Sequence, residues 1–139
     1  MAVITGTIER RTAGFNDIQD ITGDVGDLVR ESGIEAGIAT VFVAGSTGGV
    51  TTIEYEPGLL KDIPKALDTI APMGKTYHHD ATWGDGNGFS HVRAALVGPS
   101  LTVPFRDGQL TLGTWQQIAL LDFDNKARKR KVIVQIMGE

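Results

Sequence analysis

The residues best suited to chemistry are concentrated in one segment of this 139-residue chain. All three histidines lie within residues 76–91, which read TYHHDATWGDGNGFSH. His78 and His79 are adjacent, and neighbouring side chains of an extended segment point to opposite faces. At most one of them therefore shares a site readily with His91. The sequence spacing of His79 and His91 matches no strong zinc motif.

His79 and His91 are candidates for both metal binding and proton transfer. With Asp80 or Asp85 they could bind a divalent metal ion, because a chain without cysteine has only histidine, carboxylate and backbone ligands. Imidazoles, with an ordinary pKa of about 6.5, also act as general acids and bases at neutral pH. A loop with one surface histidine and one capping histidine is an equally ordinary interpretation. The glycine-rich stretch 83–88 between them is either a pocket wall or a plain turn.

A second candidate is the glycine-rich connection 45–49, GSTGG, between two predicted strands. Successive backbone N–H groups of small residues can converge on an anion, and Ser46 and Thr47 add hydroxyl donors. Ser46, Thr47 and Gly48 are therefore candidate phosphate-binding residues. The segment lacks the P-loop pattern. A tight strand connection without a ligand is an equally good interpretation.

Two charged groups have a functional and a structural interpretation. Glu54 and Glu56 would share one face of a predicted strand, where a solvated surface is favoured over an acid/base pair. The basic run 126–131, which includes Arg130, is typical of a hairpin tip that blunts edge pairing. Its arginines could also bind phosphate through bidentate contacts.

Composition narrows the function classes further. The formal charge of −4 and a pI near 5.3 argue against a nucleic-acid-binding protein. The absence of cysteine excludes disulfides, thiolate zinc sites and cysteine nucleophiles. No apolar run approaches the ~18 residues that span a bilayer. The N-terminus does not resemble a signal peptide, so we expect a cytoplasmic protein with no membrane association.

The periodicity of apolar residues predicts the elements that position these side chains. Strands are expected at 3–9, 37–43 and 50–56, and helices at about 23–32, after Pro57-Gly58, and from Phe89 onward. Thr22 and Asp62 are the expected helix caps, Pro64 would lie in a first turn, and Gly33 should end the first helix. The His-rich segment is expected to begin in an extended conformation.

The remaining residues read as strands and turns. Strand 37–43 is almost continuously apolar, so we expect both of its faces to be covered. After Pro99, LTVPF and QLTLG form one predicted hairpin about an Asp-Gly turn, and WQQIALLDFD and RKVIVQIM form a second. The pattern predicts a compact α+β single domain over residues 1–139, with a mainly antiparallel sheet.

Four separated stretches resemble the YjbQ family, described as secondary thiamine-phosphate synthase-like proteins. They are VFVAGSTGGVTTIEYEPGLLKD, YHHDATWGDGNGFSHVRAALVGPSLTVP, DGQLTLG and the C-terminal LGTWQQIALLDFDNKARKRKVIVQIMG. The resemblance extends from about residue 18 to the end. It implies a compact α+β protein that assembles as a homotrimer, with a site near the subunit interfaces. The recurrent polar positions of the family correspond to Glu54, His79, His91, Gln116 and Arg130.

The resemblance also implies a reaction, the joining of a pyrimidine methyl diphosphate to a thiazole phosphate with loss of diphosphate. That reaction requires a cationic or metal clamp on the diphosphate. Arg93, the basic run, the GSTGG amides and a His-bound divalent metal are the candidates, and Trp83 or Trp115 could face a developing cation. Several family members carry histidine where this chain has Gly45, so at most two ligands of a three-histidine site are present. A non-catalytic trimer that binds an anion or metabolite, and a metal-dependent hydrolase, remain as alternatives.

Overall fold

Every strand pairing in this protein is antiparallel. The computed structural model describes residues 1–139. Its strands are β1 (Ala2–Thr12), β2 (Asp17–Asp20), β3 (Ala36–Val43), β4 (Gly48–Ile53), β5 (Ser100–Arg106), β6 (Gln109–Leu110), β7 (Gln117–Asp122) and β8 (Arg128–Gly138). Its helices are α1 (Thr22–Ser32), α2 (Pro57–Ile70), α3 (His78–Trp83) and α4 (Gly88–Val97).

The strands form two sheets. The larger has the order β1-β8-β3-β5-β6, and the smaller has the order β2-β7-β4. The predicted α+β class and the hairpin of β5 and β6 are confirmed. The predicted hairpin of β7 and β8 is wrong, because β7 pairs with β2 and β4 whereas β8 pairs with β1 and β3. The short connection 123–127 therefore carries the chain from one sheet to the other.

The core is built in layers around β7. A cluster of 16 buried residues lies between the inner faces of the two sheets and includes Val25 and Val29 of α1. A second cluster of 6 buried residues packs the opposite face of the smaller sheet against Leu67 of α2 and Ala94 of α4. Ile118 and Leu120 of β7 face the first cluster, and Ala119, Leu121 and Phe123 face the second. The middle strand of the smaller sheet is thus covered on both faces.

Within one protomer, strand 37–43 is covered on one face only, not on both faces as predicted. Along β3, Ala39, Val41 and Val43 are completely buried. Ile38 and Phe42, which point the other way, are each 41% exposed. The larger sheet packs only through its inner face, so its strands alternate between buried and exposed residues.

The three predicted helices are present close to their expected bounds, but the two predicted N-terminal caps are wrong. Gly33 ends α1 in the left-handed conformation with φ 71°, as predicted. The Thr22 hydroxyl does not cap α1; it accepts a hydrogen bond of 2.8 Å from the Ile118 N–H. The side chain of Glu56, rather than Asp62, caps α2 by accepting hydrogen bonds from the first turn. Because α2 begins at Pro57, Pro64 lies inside the helix rather than in its first turn.

The His-rich segment matches the prediction only at its start. Tyr77 is extended, with φ −108° and ψ 149°, but α3 begins at the next residue, so His78 and His79 are successive residues of a helix. The helix predicted from Phe89 onward is confirmed as α4. None of the four helices is long and apolar enough to cross a membrane.

Candidate functional site

A polar pocket of about 380 Å³ lies where the loop after β3, the α3–α4 segment and the start of β8 meet. The loop contributes Gly45, Ser46 and Thr47, and β8 contributes Arg128 and Arg130. From the α3–α4 segment come His79, Trp83, Asp85, Asn87 and His91. Ionisable and hydrogen-bonding side chains therefore dominate its wall.

Arg130 and Asp122 form a buried ion pair at the base of this pocket. The guanidinium donates from Nε to Asp122 Oδ2 at 2.7 Å and from Nη2 to Oδ1 at 2.9 Å. Asp122 is fully buried, and the Thr12 hydroxyl donates to it as well. Nη2 also donates to Thr47 Oγ1 at 2.6 Å. This bidentate arrangement fixes the guanidinium in one position.

Asp124 forms a second buried centre beside the first. It accepts hydrogen bonds from Thr47 Oγ1 at 2.9 Å, Arg128 Nε at 2.9 Å and Asn87 Nδ2 at 3.3 Å. Burial raises the pKa of this carboxyl, but the hydrogen bonds from Arg128, the Asn125 N–H, Thr47 and Asn87 outweigh it and hold the pKa at about 2. Thr47 links the two centres, since its hydroxyl accepts from Arg130 and donates to Asp124.

One side of the Arg130 guanidinium remains available to a ligand. Nε and Nη2 are used by Asp122 and Thr47, whereas Nη1 donates to no group of the protein. Nη1 faces Gly45, since a Cβ built on that glycine would lie 2.7 Å from it. The pocket therefore contains a rigid guanidinium whose Nη1 has no hydrogen-bond partner within the protein.

His79 and His91 lie against each other in the same pocket. Their ring centroids are 4.2 Å apart and the rings are tilted by 38°. Burial lowers the pKa of His91 below its ordinary value, and the nearby His79 lowers it further, against opposing contributions from Asp124 and Asp85. His91 is consequently a neutral imidazole at pH 7, able to accept a proton or bind a metal.

Asp80 holds the α3–α4 segment in place. Its Oδ2 accepts from the Tyr77 N–H at 3.1 Å, and its Oδ1 accepts from the Gly88 N–H at 2.9 Å. These two backbone hydrogen bonds lower the pKa of Asp80. Gly88 is required here, because a Cβ would lie 2.5 Å from the Cβ of Tyr77. The tight start of α4 thereby brings His91 against His79.

The donor set around His79 fits a divalent cation. His79 Nδ1 is buried without a hydrogen-bond partner, 3.7 Å from Asp85 Oδ1 and 3.9 Å from Asp80 Oδ1. These separations are too long for hydrogen bonds, but the three groups are close enough to share one ion. The sequence predicted His79 and His91 with Asp80 or Asp85 as ligands; this cluster contains His79 and both carboxylates but not His91. Asn87 Oδ1 is a further buried acceptor without a partner.

The structure collects some of the predicted site residues in this pocket and leaves others elsewhere. His79, His91, Ser46, Thr47 and Arg130 line it together. Gly48 lies directly behind it, since a Cβ there would lie 3.6 Å from Arg130 Nε.

Glu54 and Gln116 lie outside the pocket. Glu54 is exposed just after β4. Gln116 lines a separate cavity of about 240 Å³ and donates from Nε2 to Thr52 Oγ1 at 3.1 Å. Neither side chain contributes to the wall formed around His79 and His91 within this protomer.

The structure gives Arg93 a structural role in place of the phosphate contact predicted from sequence. Its side chain is 1% exposed. Nε donates to the Ala71 carbonyl at 3.0 Å, Nη1 to Asn16 at 2.9 Å and Nη2 to Asp68 at 3.3 Å. With all three nitrogens occupied, this guanidinium ties α4 to the end of α2 and is not offered to a ligand.

Asp122 and Asp124 were not predicted from the sequence, whereas Asn87 lies in the stretch 83–88 that was a candidate pocket wall. An alternation of charge is the signal that could have indicated the two aspartates. Asp122 and Asp124 are two residues apart, and so are Arg128 and Arg130. Residues two apart share one face of a strand, so the four charges can pair across the connection between β7 and β8.

The fold and the site define a class: a two-sheet α+β domain with a polar pocket lined by histidine and arginine. The chain belongs to the YjbQ family, since the family model described as UPF0047 protein YjbQ-like matches residues 6–139. A UPF0047 protein of Methanothermobacter thermautotrophicus is 38% identical over 139 residues, which cover 100% of this chain and 95% of the relative. The UPF0047 protein YugU of Bacillus subtilis is 32% identical over 133 residues, covering 95% and 98% of the two chains.

Solved structures show the same fold. A YbjQ-like protein of unknown function from Sulfolobus solfataricus superposes with a TM-score of 0.94 at 34% identity, covering 99% of each chain. An uncharacterised YjbQ/UPF0047 protein from Clostridium acetobutylicum gives a TM-score of 0.86 at 36% identity, covering 94% of this chain and 98% of the other. The family and the fold predicted from sequence are thus confirmed. The names of these relatives state no activity, so the reaction has to be argued from the site.

Proposed function

We propose that the pocket is an active site for a phosphorylated small molecule, in which Arg130 binds the phosphate and His79 and His91 move protons. The observation that carries this proposal is the position of Arg130 Nη1. This rigid guanidinium nitrogen, which has no hydrogen-bond partner in the protein, lies in the same pocket as a pair of touching imidazoles. The reaction class we favour is transfer, as in thiamine-phosphate synthesis.

Two arginines and one hydroxyl group would bind the phosphate. Arg128 and Arg130 are oriented by buried carboxylates, and guanidinium groups suit the geometry of phosphate oxygens. Ser46 is exposed at the pocket wall and adds a hydroxyl donor. Since Asp122 and Asp124 balance the two positive charges, we expect directed hydrogen bonds rather than a large net charge to bind the ligand.

The histidine pair would carry out the proton transfer. Because the pKa of His91 is lowered, its neutral ring can accept a proton near pH 7, and His79 is in contact to take part. In the proposed reaction, the bond from the pyrimidine methylene carbon to the diphosphate oxygen breaks, and a bond to the thiazole nitrogen forms. The histidine pair passes a proton to the departing diphosphate oxygen and regains one from solvent. The guanidinium donors stabilise the departing diphosphate, and the exposed ring of Trp83 can face the cationic carbon.

A second candidate function is a metal-dependent hydrolase, favoured by the cluster of His79, Asp80 and Asp85. A divalent ion bound there would activate a water molecule as the nucleophile. A third is a trimer that binds a phosphorylated metabolite without turnover. Elemental analysis of the purified protein distinguishes the hydrolase, which requires about one metal ion per chain.

Assembly and location belong to the same proposal. We propose that the protein is a homotrimer and that it is cytoplasmic. The homotrimer is supported by the apolar side chains that the larger sheet exposes on its outer face. Val3 is 53% exposed, Ile38 and Phe42 are each 41% exposed, and Met137 is 38% exposed. Sedimentation analysis tests the trimer directly, and a monomer at all concentrations would contradict it.

The enzymatic proposal is tested by turnover of the pyrimidine diphosphate and thiazole phosphate in three variants. His91→Asn and His79→Asn should each lower kcat by roughly 10²–10⁴-fold, the contribution expected of general acid–base groups. His78→Asn is the matched control, because His78 is an exposed neighbour in α3 that does not line the pocket. Full activity of His91→Asn would remove its catalytic role. Binding of both substrates by the natural protein without turnover would favour the non-catalytic trimer.

A further inference from the structure

Gly45 occupies an unusual position above the buried guanidinium of Arg130. Its φ of 153° is one that residues with side chains rarely adopt. A Cβ at this position would lie 2.7 Å from Arg130 Nη1 and 3.8 Å from Cζ. Because residue 45 has no side chain, the guanidinium nitrogen Nη1, which has no hydrogen-bond partner in the protein, is left uncovered.

Arg130 cannot move aside to accommodate a side chain at position 45. Its own side chain is only 7% exposed, and the pair with Asp122 together with the hydrogen bond to Thr47 fixes the guanidinium. Withdrawing Nη1 from Gly45 would require breaking a buried, bidentate ion pair. A contact of 2.7 Å would instead have to be relieved by the backbone around residue 45.

Gly45 also lies between two spaces. Together with Ser46 and His91, it borders both the polar pocket and a neighbouring cavity of about 280 Å³. The other walls of that cavity are Gly48, Ala94, Ala95 and Pro99, which have no charged side chains. A ligand oxygen placed near the position that a Cβ of residue 45 would take would be within hydrogen-bond distance of Nη1.

We propose that Gly45 is a specificity-determining residue. Because it has no side chain, a phosphate oxygen of the ligand can reach Arg130 Nη1. The inference rests on the proposed function and assigns the terminal phosphate to a particular position in the pocket. The ligand class is a phosphate ester whose phosphate lies over Gly45 and whose remaining part extends toward the histidine pair. In this chain, a side chain added at position 45 would lie against Nη1 and exclude that phosphate.

The experiment compares Gly45→Ala with the natural protein by calorimetric titration with inorganic phosphate. Losing one charged hydrogen bond weakens binding by roughly 10- to 100-fold, and we expect a loss in this range. Gly98→Ala is the matched control: Gly98 also has a positive φ, of 92°, but an added Cβ meets nothing within 4 Å. Gly98→Ala should share the backbone strain and retain the phosphate affinity.

A second measurement uses the natural protein and does not depend on how the variant folds. Inorganic phosphate should shift the guanidinium NMR resonances of Arg130, assigned with Arg130→Lys, and leave those of Arg93 unchanged. Phosphate binding that leaves the Arg130 resonances in place would overturn the inference. So would an affinity of folded Gly45→Ala equal to that of the natural protein.

The two proposals fail in different ways. If the natural protein binds phosphate and Gly45→Ala binds it equally well, the role of Gly45 is refuted but the proposed active site for a phosphorylated ligand is unaffected. If inorganic phosphate does not bind to the natural protein at all, the inference fails, and substrate turnover decides the proposed function separately.

Discussion

The Arg130–Asp122 pair makes the strongest quantitative prediction, through the substitution Asp122→Asn. The carboxylate is completely buried and accepts hydrogen bonds from Arg130 Nε, Arg130 Nη2, the Thr12 hydroxyl and the Asp124 N–H. Asparagine keeps the shape but offers one oxygen and an NH₂ group in place of two acceptors. The NH₂ would oppose an N–H donor, and the guanidinium charge would be left unpaired at the base of the pocket.

The expected cost follows from this burial. Removing one partner of a buried ion pair destabilises a protein by about 3–5 kcal/mol, since the remaining charge is uncompensated. With a urea m-value of about 2 kcal/mol per molar, the unfolding midpoint should fall by roughly 1.5–2.5 M. Asp27→Asn is the matched control, because it belongs to an exposed ion pair: the Asp27 side chain is 55% exposed and that of its partner Arg30 is 63% exposed. Exposed pairs contribute only about 0–1 kcal/mol.

Urea unfolding of the two variants, followed by circular dichroism, makes the comparison. The reasoning would be refuted if Asp122→Asn lost less than about 1 kcal/mol, which is the range of an exposed pair. A double-mutant cycle with Arg130→Met adds a second check. The double variant should lose less than the sum of the single variants, because replacing both charges removes the unpaired one.

Three further predictions concern individual groups of the site and its support. Since the pKa of Asp124 is about 2 in the folded protein and ordinarily 3.8, its contribution to stability is complete above about pH 4 and is lost as the pH falls toward 2. That loss, about 2 kcal/mol, should be absent in Asp124→Asn when urea unfolding is measured across this range. Arg93→Met should destabilise the fold by about 2–3 kcal/mol but leave the affinity for inorganic phosphate unchanged in a titration. In a proton NMR titration, His91 should have a pKa below its ordinary value, and His79→Gln should raise it because a neighbouring positive charge is removed; no upward change would contradict the coupling.

Most elements of the fold could be predicted from periodicity, whereas their partners could not. The strand pattern identified β7 and β8 but paired them with each other. Residues 118–121 are apolar in succession and all buried, which suits a strand that needs cover on both faces. The strand β8 instead alternates between buried and exposed residues along most of its length. This difference in pattern, more than the short connection between the strands, places them in separate sheets.

The caps show a second limit of sequence reasoning. Thr22 and Asp62 are favourable capping residues by type, yet Glu56 caps α2 and the Thr22 hydroxyl binds another strand. The α3 helix was missed because it begins after Tyr77, whose residue type is not typical of a cap. In each case a tertiary contact or a neighbouring backbone conformation overrides the local preference.

For the candidate site, the sequence indicated which side chains could bind a ligand or move a proton. It did not indicate which of them have groups left free by the protein's own hydrogen bonds. His79 and His91 were paired correctly as neighbours, although the reason is the turn at Asp80 and Gly88 rather than strand geometry. Arg93 and Arg130 look alike in the sequence. Only the structure shows that every nitrogen of Arg93 is hydrogen-bonded within the protein, whereas Nη1 of Arg130 is not.

The most direct measurement is a crystal structure of the protein with the pyrimidine methyl diphosphate substrate. We predict that its terminal phosphate lies over Gly45, with an oxygen within hydrogen-bond distance of Arg130 Nη1, and that the pyrimidine ring extends toward His79 and His91. A phosphate bound beside Arg93, or in the separate cavity at Gln116, would contradict the account. So would a polar pocket without ligand density at saturating concentration.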